Sequence, residues 1–481
     1  MNKTKIILSS IVVLALAGVV AFWVLRGNSD GYLQALPKDA TALVRLDVKA
    51  LLDEADLTKE ETTKLLQRIS FSEETNEIGI DFNRPVYGFA IQNDNFGILA
   101  AVASEKELQS WCERLAAEGH ASEIMHQRGY SWVVLEQQWL MAFDNEKALV
   151  MGPAIGAAQD LLRTTIVQLM EQNDDESALK TDLYKLLKSE DEPLVALVRP
   201  ELLPEDALKN LGKLQLKSSQ QGVYCLTMAP DDNELEVDID IISDDETILE
   251  ELTKINTLLR PITGKLLDNA HPDNAIWLAC NLKGEDLLST LRAEPSIRTS
   301  LIALNLIVDV DQIIQAIDGD IAVELTSAKA SPENDGVNLR FDFKNGCLTA
   351  HVTNTDFLSE AQSWGNSFLE VKSLSATDFM VNLEPSSIYF GVQDNTFYLS
   401  GEKGLTAQGN AYLNKQRSDI KGARFYATLN LSSIPLEPIS FLSKIYPELN
   451  RLDIKMKKAG EFSLTLKASD RTNILRTLLQ F

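Results

Sequence analysis

The feature that most constrains the fold of this chain is a strand-like apolar run ending in a polar stop, which occurs four times. A short segment bearing Leu or Ile follows each stop, so the pattern predicts a strand, a cap and a helical turn. Asp47, Asn281 and Asn430 occupy the stop in three copies, where a side-chain oxygen suits a helix N-cap. Pro200 follows the stop in the other copy and fits a first helical position. The copies are Thr41–Leu52, Pro193–Leu203, Ala275–Leu288 and Arg424–Ile434.

Elements between these copies also recur in the same order along the chain. The offset in residue number between matched positions changes along the chain, which predicts an insertion at Ser331–Asn345 and the loss of a helix after Gly401. A repeat this long indicates a duplicated domain and not a solenoid, whose repeats span about 20 to 50 residues. The matched pairs are Asp47 with Asn281, Trp111 with Trp364, and Asp144 with Asp394.

Antiparallel hairpins with helices between groups of strands predict an α+β fold. We therefore expect two tandem, related domains, each a mainly antiparallel sheet with helices packed on one face, after an N-terminal transmembrane helix. The junction Arg260–Pro272 contains Ile262, Leu266 and Leu267, which predicts burial and not a flexible linker. The predicted limits are 1–26 for the anchor or signal segment, 27–36 for a polar tether, 37–262 for the first repeat domain and 270–481 for the second.

The uncharged run Ile6–Leu25 is long enough to cross a bilayer as a helix. Lys3 and Lys5 precede it, which favours an inner-membrane, single-pass protein with the bulk of the chain in the periplasm. The alternative is a signal peptide cleaved after Ala17, which releases the chain into the periplasm. No cysteine lies in or just after the run, which excludes a lipid-anchored N-terminal cysteine.

Composition narrows the classes of partner. The 481 residues carry a net charge of −25, and no basic cluster interleaved with aromatics offsets it, so the sequence argues against nucleic acid as a partner. The acidity is most simply a solubility feature. The expected partners are the membrane, through the N-terminal helix, and other envelope proteins. The sequence does not identify a small-molecule ligand.

The four cysteines suggest a disulfide framework in an exported chain, but their contexts favour free, buried thiols. Cys112 lies in a helical pattern, whereas Cys225, Cys280 and Cys347 lie in or at the start of strand-like runs. A chain of this length also does not need disulfide bonds for its stability.

The residues that could carry chemistry show no catalytic pattern. His120 and His126 do not have a metalloprotease or zinc-finger spacing, His351 lies in a strand and His271 in a turn. The sequence contains no G-x-S-x-G, Walker or G-x-G-x-x-G motif. It therefore predicts no catalytic, metal or cofactor-binding residues, no cofactor and no enzymatic activity.

Two further groups of residues have a structural and a functional interpretation. The acidic clusters at Asp231–Asn233, Asp244–Glu246 and Asp309–Asp311 lack the spacing of a calcium loop, and turns and helix starts favour such residues on backbone grounds. Trp111 and Trp364 are either ligand-stacking platforms or side chains packed on the sheet, and we favour packing.

Leu36–Ala40, continuing through VRLDVKALL, and GIDFNRPVYGF at Gly79–Phe89 resemble a family of uncharacterised envelope proteins from Bacteroidetes. Such proteins carry an anchor or lipoprotein signal, then Pro-Lys-Asp-Ala, a strand and a Leu-Leu turn. The resemblance implies a Gram-negative envelope location and no known activity. This chain lacks the cysteine that follows the signal in lipoprotein members.

These observations favour a membrane-anchored, periplasm-facing, non-catalytic binding or scaffolding protein of the bacterial cell envelope. One alternative is a ligand-binding protein that uses the cleft between the two repeat domains, because domain interfaces commonly hold such sites. A hydrolase is less favoured, because no nucleophile and base pair is suggested.

Overall fold

The computed structural model divides into two compact units, one of residues 1–248 with 472–481 and one of residues 249–471. No helix in the described part of the chain is long and apolar enough to cross a membrane, and the predicted segment Ile6–Leu25 lies outside that part. The described residues are 30–58, 60–62, 64–65, 78–91, 95–127, 129–202, 222–333, 336–341, 346–364, 370–383, 386–405, 409–433, 449–469 and 472–479.

The described strands of the first unit form an antiparallel sheet with the order β4-β5-β6-β7-β3-β2-β1-β8-β9-β10. Apolar residues dominate the central strands, which is typical of strands buried on both faces. The strands are β1 Ala42–Leu46, β2 Val86–Ile91, β3 Asn95–Ala101, β4 Met125–Gln127, β5 Tyr130–Leu135, β6 Trp139–Phe143, β7 Lys147–Gly152, β8 Leu194–Val198, β9 Val223–Asp231 and β10 Glu234–Ile242.

The described strands of the second unit have the corresponding order β17-β18-β19-β20-β16-β13-β12-β21-β22-β23, also antiparallel. The strand β11 pairs with the end of β12, and β14 and β15 form a separate hairpin at the position of the predicted insertion Ser331–Asn345. The strands are β11 Leu259–Arg260, β12 Ile276–Lys283, β13 Ile317–Leu325, β14 Ala328–Glu333, β15 Gly336–Phe341, β16 Gly346–Val352, β17 Val371–Ser373, β18 Asp378–Leu383, β19 Ser386–Gln393, β20 Thr396–Ser400, β21 Phe425–Asn430, β22 Leu449–Lys458 and β23 Glu461–Ala468.

Most helices follow a strand and pack back on the sheet of their own unit. Short 3-10 helices precede the first long strand of each unit, at Asp30–Ala35 and Lys265–Asn269. The α-helices are α1 Val48–Ala55, α2 Glu105–Ala117, α3 Ala157–Glu171, α4 Asp182–Ser189, α5 Glu246–Leu258, α6 Gly284–Ala293, α7 Pro295–Asn305, α8 Val310–Ala316, α9 Ala411–Lys415, α10 Arg417–Ile420 and α11 Ile474–Leu479.

Helices cover both faces of each sheet, which corrects the prediction of one covered face. In the first unit, Leu43 of β1 packs in a core cluster with α3 and α4, whereas Leu46 packs on the opposite face with α1 and α11. In the second unit, Trp277 and Leu282 of β12 divide in the same way between two clusters. Successive strand residues point to opposite faces of the sheet. A strand that is apolar at both its odd and its even positions therefore buries both faces.

The residues ahead of each sheet are packed and not extended linkers. The sequence predicted a tether over 27–36. Residues 27–29 lie outside the described part of the chain, and Tyr32, Leu33 and Leu36 are buried in the core of the first unit because their side chains are apolar. The predicted burial of the apolar junction residues is confirmed: Ile262 and Leu267 lie in the core of the second unit, so the chain joins that unit ahead of the predicted limit at residue 270.

The polar stops behave differently in the copies of the repeated pattern. Asp47 caps α1, because its side chain accepts a hydrogen bond from the Ala50 N–H at 2.9 Å, and Pro200 begins a 3-10 helix. Asn281 is not a cap: its amide donates to Asp320 Oδ1 at 2.8 Å and its oxygen accepts from Arg260 Nε at 3.0 Å. The buried partners of Asn281 therefore override the local capping preference.

The helices after β20 are shortened and not lost. In the first unit α3 and α4 have 15 and 8 residues, whereas α9 and α10 have 5 and 4. This corrects the predicted loss of a helix after Gly401. The shortening changes what covers the neighbouring strands, because a helix of one turn spans only about 5 Å.

Candidate functional site

Three polar side chains lie side by side across the sheet of the second unit. Glu324 of β13 is directly opposite Cys347 of β16, and Cys347 is directly opposite Ser400 of β20. On the other side, Glu324 is opposite Trp277 of β12. Residues in direct register point to the same face, so these side chains form one row. We call Glu324, Cys347 and Ser400 the polar row.

The corresponding row in the first unit is apolar. If Leu43 is aligned with Trp277, as the stops Asp47 and Asn281 require, the register places Phe89 at the position of Glu324 and Gly97 at that of Cys347. Met151 then takes the position of Ser400. The Phe89 ring fills the space above Gly97, where an added Cβ would lie 2.0 Å from Phe89 Cζ. The fold itself therefore does not require polar side chains in this row.

Helix length decides whether the row is covered. In the first unit, Ile166 and Leu169 of α3 pack in the same cluster as Phe89 and Met151, and Met151 is fully buried. In the second unit, Leu413 of α9 and Ile420 of α10 pack with Trp277, so these short helices cover the sheet at the Trp277 side of the polar row. Ser400 and Cys347 are half-buried and border a pocket.

The pocket holds about 550 Å³ of empty space, part of which is open to solvent. The polar row forms one wall, and Asn269, which ends the 3-10 helix Lys265–Asn269, and His271, which follows it, contribute to another. Glu402 lies beyond the end of β20 and is exposed at the pocket. The described lining residues therefore include two carboxylates and no lysine or arginine.

Glu324 is the most unusual group in the pocket, because only 8% of it is exposed. Its Oε2 accepts a hydrogen bond from the backbone N–H of His271 at 2.8 Å, and the described residues provide no salt bridge to it. Burial, which outweighs this hydrogen bond, raises the pKa of Glu324 to about 7. The His271 ring does not donate from Nδ1, because this atom accepts a hydrogen bond from the Asp273 N–H at 3.1 Å.

The thiol beside Glu324 is poorly suited to attack. Burial, with a smaller effect from the neighbouring Glu324 carboxylate, raises the pKa of Cys347 to about 12. The thiolate is the nucleophilic form of cysteine, so the thiol of Cys347 stays protonated and weakly reactive at neutral pH. Cys347 therefore lacks the activation that a nucleophilic cysteine needs.

The register continues from Trp277 to Thr428 and Asp453 on β21 and β22, where a second polar cluster is buried. The Tyr412 hydroxyl donates to Asp453 Oδ2, and Lys467 Nζ lies 3.6 Å from the same oxygen. Burial and the Asp453 charge raise the pKa of Tyr412 well above its usual range. The groups in this cluster pair with one another, which is typical of a structural network.

The histidines are distributed and do not form one site. His120 Nδ1 lies 2.6 Å from Glu136 Oε1 at the surface, His126 lies beside Ser131, and His351 contacts the Asp318 carbonyl oxygen at 2.9 Å. Only His271 borders the pocket. Within the described ranges, no group of three or more His, Cys, Asp or Glu residues is arranged to hold a metal ion.

The acidic clusters contain caps and turns. Asp245 accepts from the Thr247 and Ile248 N–H groups at the start of α5, and Asp309 accepts from the Gln312 N–H at the start of α8. Asp232 occupies a turn with φ of 40°. These contacts are the structural alternative that the sequence favours for such clusters.

The two matched tryptophans pack on their sheets. Trp111 of α2 is partly buried against two core clusters, and Trp364 stacks on Phe390 with ring centroids 5.3 Å apart. Trp364 directly follows a 3-10 helix, Asp356–Ser363, whereas Trp111 lies within an α-helix.

All four cysteines are free thiols, as predicted. Cys112 and Cys225 are buried, whereas Cys280 and Cys347 are half-buried. The predicted burial is therefore confirmed for Cys112 and Cys225, whereas Cys280 and Cys347 are only half-buried and Cys347 borders the pocket.

Sequence reasoning missed Glu324. Its one local signal is a glutamate in the strand IDGDIAVEL at the same parity as the buried Ala322. The residues that form the pocket with Glu324, such as His271, Cys347 and Ser400, lie on other elements of the fold. The sequence of the Glu324 strand alone therefore does not reveal the pocket.

The fold and the site define a class of protein: two α+β units, each built on an antiparallel sheet of the same strand order, with a polar pocket in the second unit. The chain belongs to the family described as "Domain of unknown function (DUF4836)", whose model matches residues 32–434.

Known proteins add little beyond the family. No curated protein matches the chain significantly. Crystal form I of TP0453 is similar with a TM-score of 0.30 and 11% identity over 48% of this chain and 88% of that chain. Crystal form IV gives 0.29 and 10% over 44% and 79%. Similarity at this level carries no argument about function.

Proposed function

We propose that this chain is a non-catalytic binding protein of the bacterial cell envelope and that the pocket bordered by Glu324, Cys347 and Ser400 is its binding site. One observation carries the proposal: the second unit has a polar, accessible row where the first unit has the apolar, helix-covered row of Phe89 and Met151. A buried carboxylate without a counter-charge destabilises a fold. The position of Glu324 at an accessible pocket therefore favours a role in binding.

The chemistry of the pocket favours binding over turnover. A covalent mechanism needs an activated nucleophile beside a base, whereas the Cys347 thiol is held protonated by burial and by the Glu324 charge. The Ser400 hydroxyl accepts a hydrogen bond from the Glu402 N–H at 3.1 Å. We therefore assign the pocket a recognition role and propose no reaction.

The proposed location rests on the sequence. Ile6–Leu25 anchors the chain in the inner membrane as a single span, with the bulk in the periplasm, and the alternative is release into the periplasm after signal cleavage. Other envelope proteins are proposed partners.

We also propose that the repeat domains, predicted at 37–262 and 270–481, arose by duplication. The common strand order of the two units supports this origin. The two units now differ, because the first has a closed core and the second has shorter helices and a polar row beside the pocket.

A fragment screen tests the proposed function. Ligand-observed NMR with the full chain in detergent compares cationic, neutral and anionic fragments on wild type, on Ser400→Trp, which fills the pocket, and on Ser363→Trp, a control at an exposed position. We expect at least one class to bind wild type and the control but not Ser400→Trp. If no class shows this pattern while all three proteins keep the same thermal stability, the pocket is not a binding site.

A further inference from the structure

We propose that the pocket of the second unit binds a ligand through a primary ammonium group that pairs with the Glu324 carboxylate. This inference rests on the proposed function and specifies the class of its ligand. The geometry that supports it is a carboxylate nine-tenths buried at the wall of an accessible pocket, with one hydrogen bond from the His271 N–H and no cation among the described lining residues.

The acceptors in the pocket match the donors of an ammonium group. An ammonium has three N–H donors and no acceptor. The Glu324 carboxylate and the Ser400 hydroxyl both border the pocket and contribute acceptor oxygens, and Glu402 adds a second carboxylate at the exposed side. Two carboxylates repel an anionic ligand and attract a cation toward the opening.

Pairing also offsets the cost of burying Glu324. Burial without a counter-charge disfavours the ionised carboxylate, and an opposite charge within hydrogen-bond distance restores it. The ionisable groups that line the pocket with Glu324 are the Cys347 thiol, the His271 ring and Glu402, and none of these is a permanent cation. A bound ammonium is therefore the missing partner of the carboxylate.

Proton release follows from this pairing. The pKa of Glu324 is about 7 without a ligand, so at about pH 6 much of the population is protonated. Binding of an ammonium favours the ionised form, so a proton leaves the carboxylate on binding. The affinity should fall as the pH decreases below 7.

Isothermal titration calorimetry with butylammonium, butanol and butyrate as probes tests the inference on the full chain in detergent. We expect butylammonium to bind wild type at least about tenfold more tightly than either other probe, and Glu324→Gln to lose about tenfold or more of that affinity. Glu360→Gln, at an exposed position outside the pocket, should bind as wild type does. Titration at about pH 6 in two buffers of different ionisation enthalpy should show proton release.

Three results separate the possible failures. Equal binding of butanol or butyrate, or unchanged affinity in Glu324→Gln, overturns the ammonium assignment while the pocket remains a binding site. Loss of all three probes together with no hit in the fragment screen overturns the proposed function as well. Glu324→Asp is the control for a folding defect in Glu324→Gln. It keeps the carboxylate charge, so it should keep the preference for butylammonium.

Discussion

At the scale of single residues, Glu324 is ionisable where its counterpart in the first unit, Phe89, is apolar. Phe89 at the corresponding position contributes apolar burial, whereas Glu324 is buried with one backbone hydrogen bond. A carboxylate in this setting is destabilising once it ionises. The position therefore lowers the stability of the second unit at high pH and provides a group suited to recognition.

Replacing Glu324 by Gln should change how stability depends on pH. The folded pKa of about 7 lies above the usual value of 4.5 for a glutamate, so the native state holds the proton more tightly than the unfolded state. Wild type therefore loses stability as the pH rises from 4.5 through 7, and the loss persists above that range. Relative to wild type, Glu324→Gln should be more stable at about pH 9 than at about pH 5 by up to about 3 kcal/mol.

Urea denaturation at both pH values measures this difference. The exposed substitution Glu360→Gln should leave the pH dependence of wild type unchanged. An equal stability difference between Glu324→Gln and wild type at the two pH values would show that Glu324 titrates normally in the folded protein.

At the scale of elements, two hairpin turns have the same backbone conformation, but their residues tolerate that conformation to different degrees. Glu136 and Gln137 between β5 and β6 have φ values of 48° and 58°, and Asp394 and Asn395 between β19 and β20 have the same values. Two-residue turns with positive φ at both positions match the twist of a hairpin. Asn tolerates this conformation better than Gln does.

Gly substitutions should therefore affect the two turns differently. We expect Gln137→Gly to stabilise the first unit by up to about 1 kcal/mol, because Gly adopts positive φ without steric strain. Asn395→Gly should have a smaller effect. Thermal unfolding of both variants checks this, and a loss of stability in Gln137→Gly would mean that side-chain contacts of Gln137 outweigh the backbone strain.

Asp320 fixes the segment that leads into the second sheet. Its carboxylate is buried and accepts hydrogen bonds from the Thr263, Gly264 and Lys265 N–H groups at 2.8–3.1 Å. It also accepts from the Asn281 amide. Several backbone donors that have no partner in a strand or helix therefore depend on one side chain.

Asp320→Ala should release this segment. We expect a loss of about 3 kcal/mol or more, because several buried donors lose their acceptor, and faster cleavage between Ile262 and Asn269 in limited proteolysis. Asp318→Ala, which removes a partly exposed ion pair with Arg260, should cost less than about 1 kcal/mol. Rapid cleavage of wild type at the same place would instead identify an exposed hinge.

At the scale of the whole molecule, the first unit is built from both ends of the described chain. Leu475 and Leu479 of α11 pack in the cluster that contains Leu46, Val48 and Leu51. Arg476 donates to both carboxylate oxygens of Glu61. The first unit is therefore incomplete until the C-terminal residues are made.

Removal of residues 472–481 should destabilise the first unit. Exposure of two buried leucines and their partners costs about 4 kcal/mol. Urea denaturation followed by tryptophan fluorescence measures the loss, and Arg476→Ala, which keeps both leucines, should lose less. A truncated chain as stable as wild type would show that α11 contributes nothing to the first core.

The predicted anchor leads to a test on the intact protein. The mass of protein extracted from membranes should include Met1–Leu25, because the apolar run is long enough to span a bilayer. A mature N-terminus at Gly18 would establish signal cleavage and a soluble periplasmic form.

The sequence by itself determined the local structure. Periodicity and turn residues predicted antiparallel hairpins, such as β5 with β6 and β9 with β10, and the cap at Asp47. Those features depend on residues within a few positions of one another, where propensity and hydrogen bonding are decided locally. The free state of the four cysteines and the burial of Cys112 and Cys225 were also predicted from the sequence.

Only the tertiary structure decided the polar row. Glu324, Cys347 and Ser400 become neighbours through register between β13, β16 and β20, and Asn281 leaves its predicted cap for partners distant in sequence. The pocket further depends on how much of the sheet the short α9 covers, which is a property of packing across the sheet and not of any one segment. Local preferences cannot specify such contacts, because their energies arise only after the strands have paired.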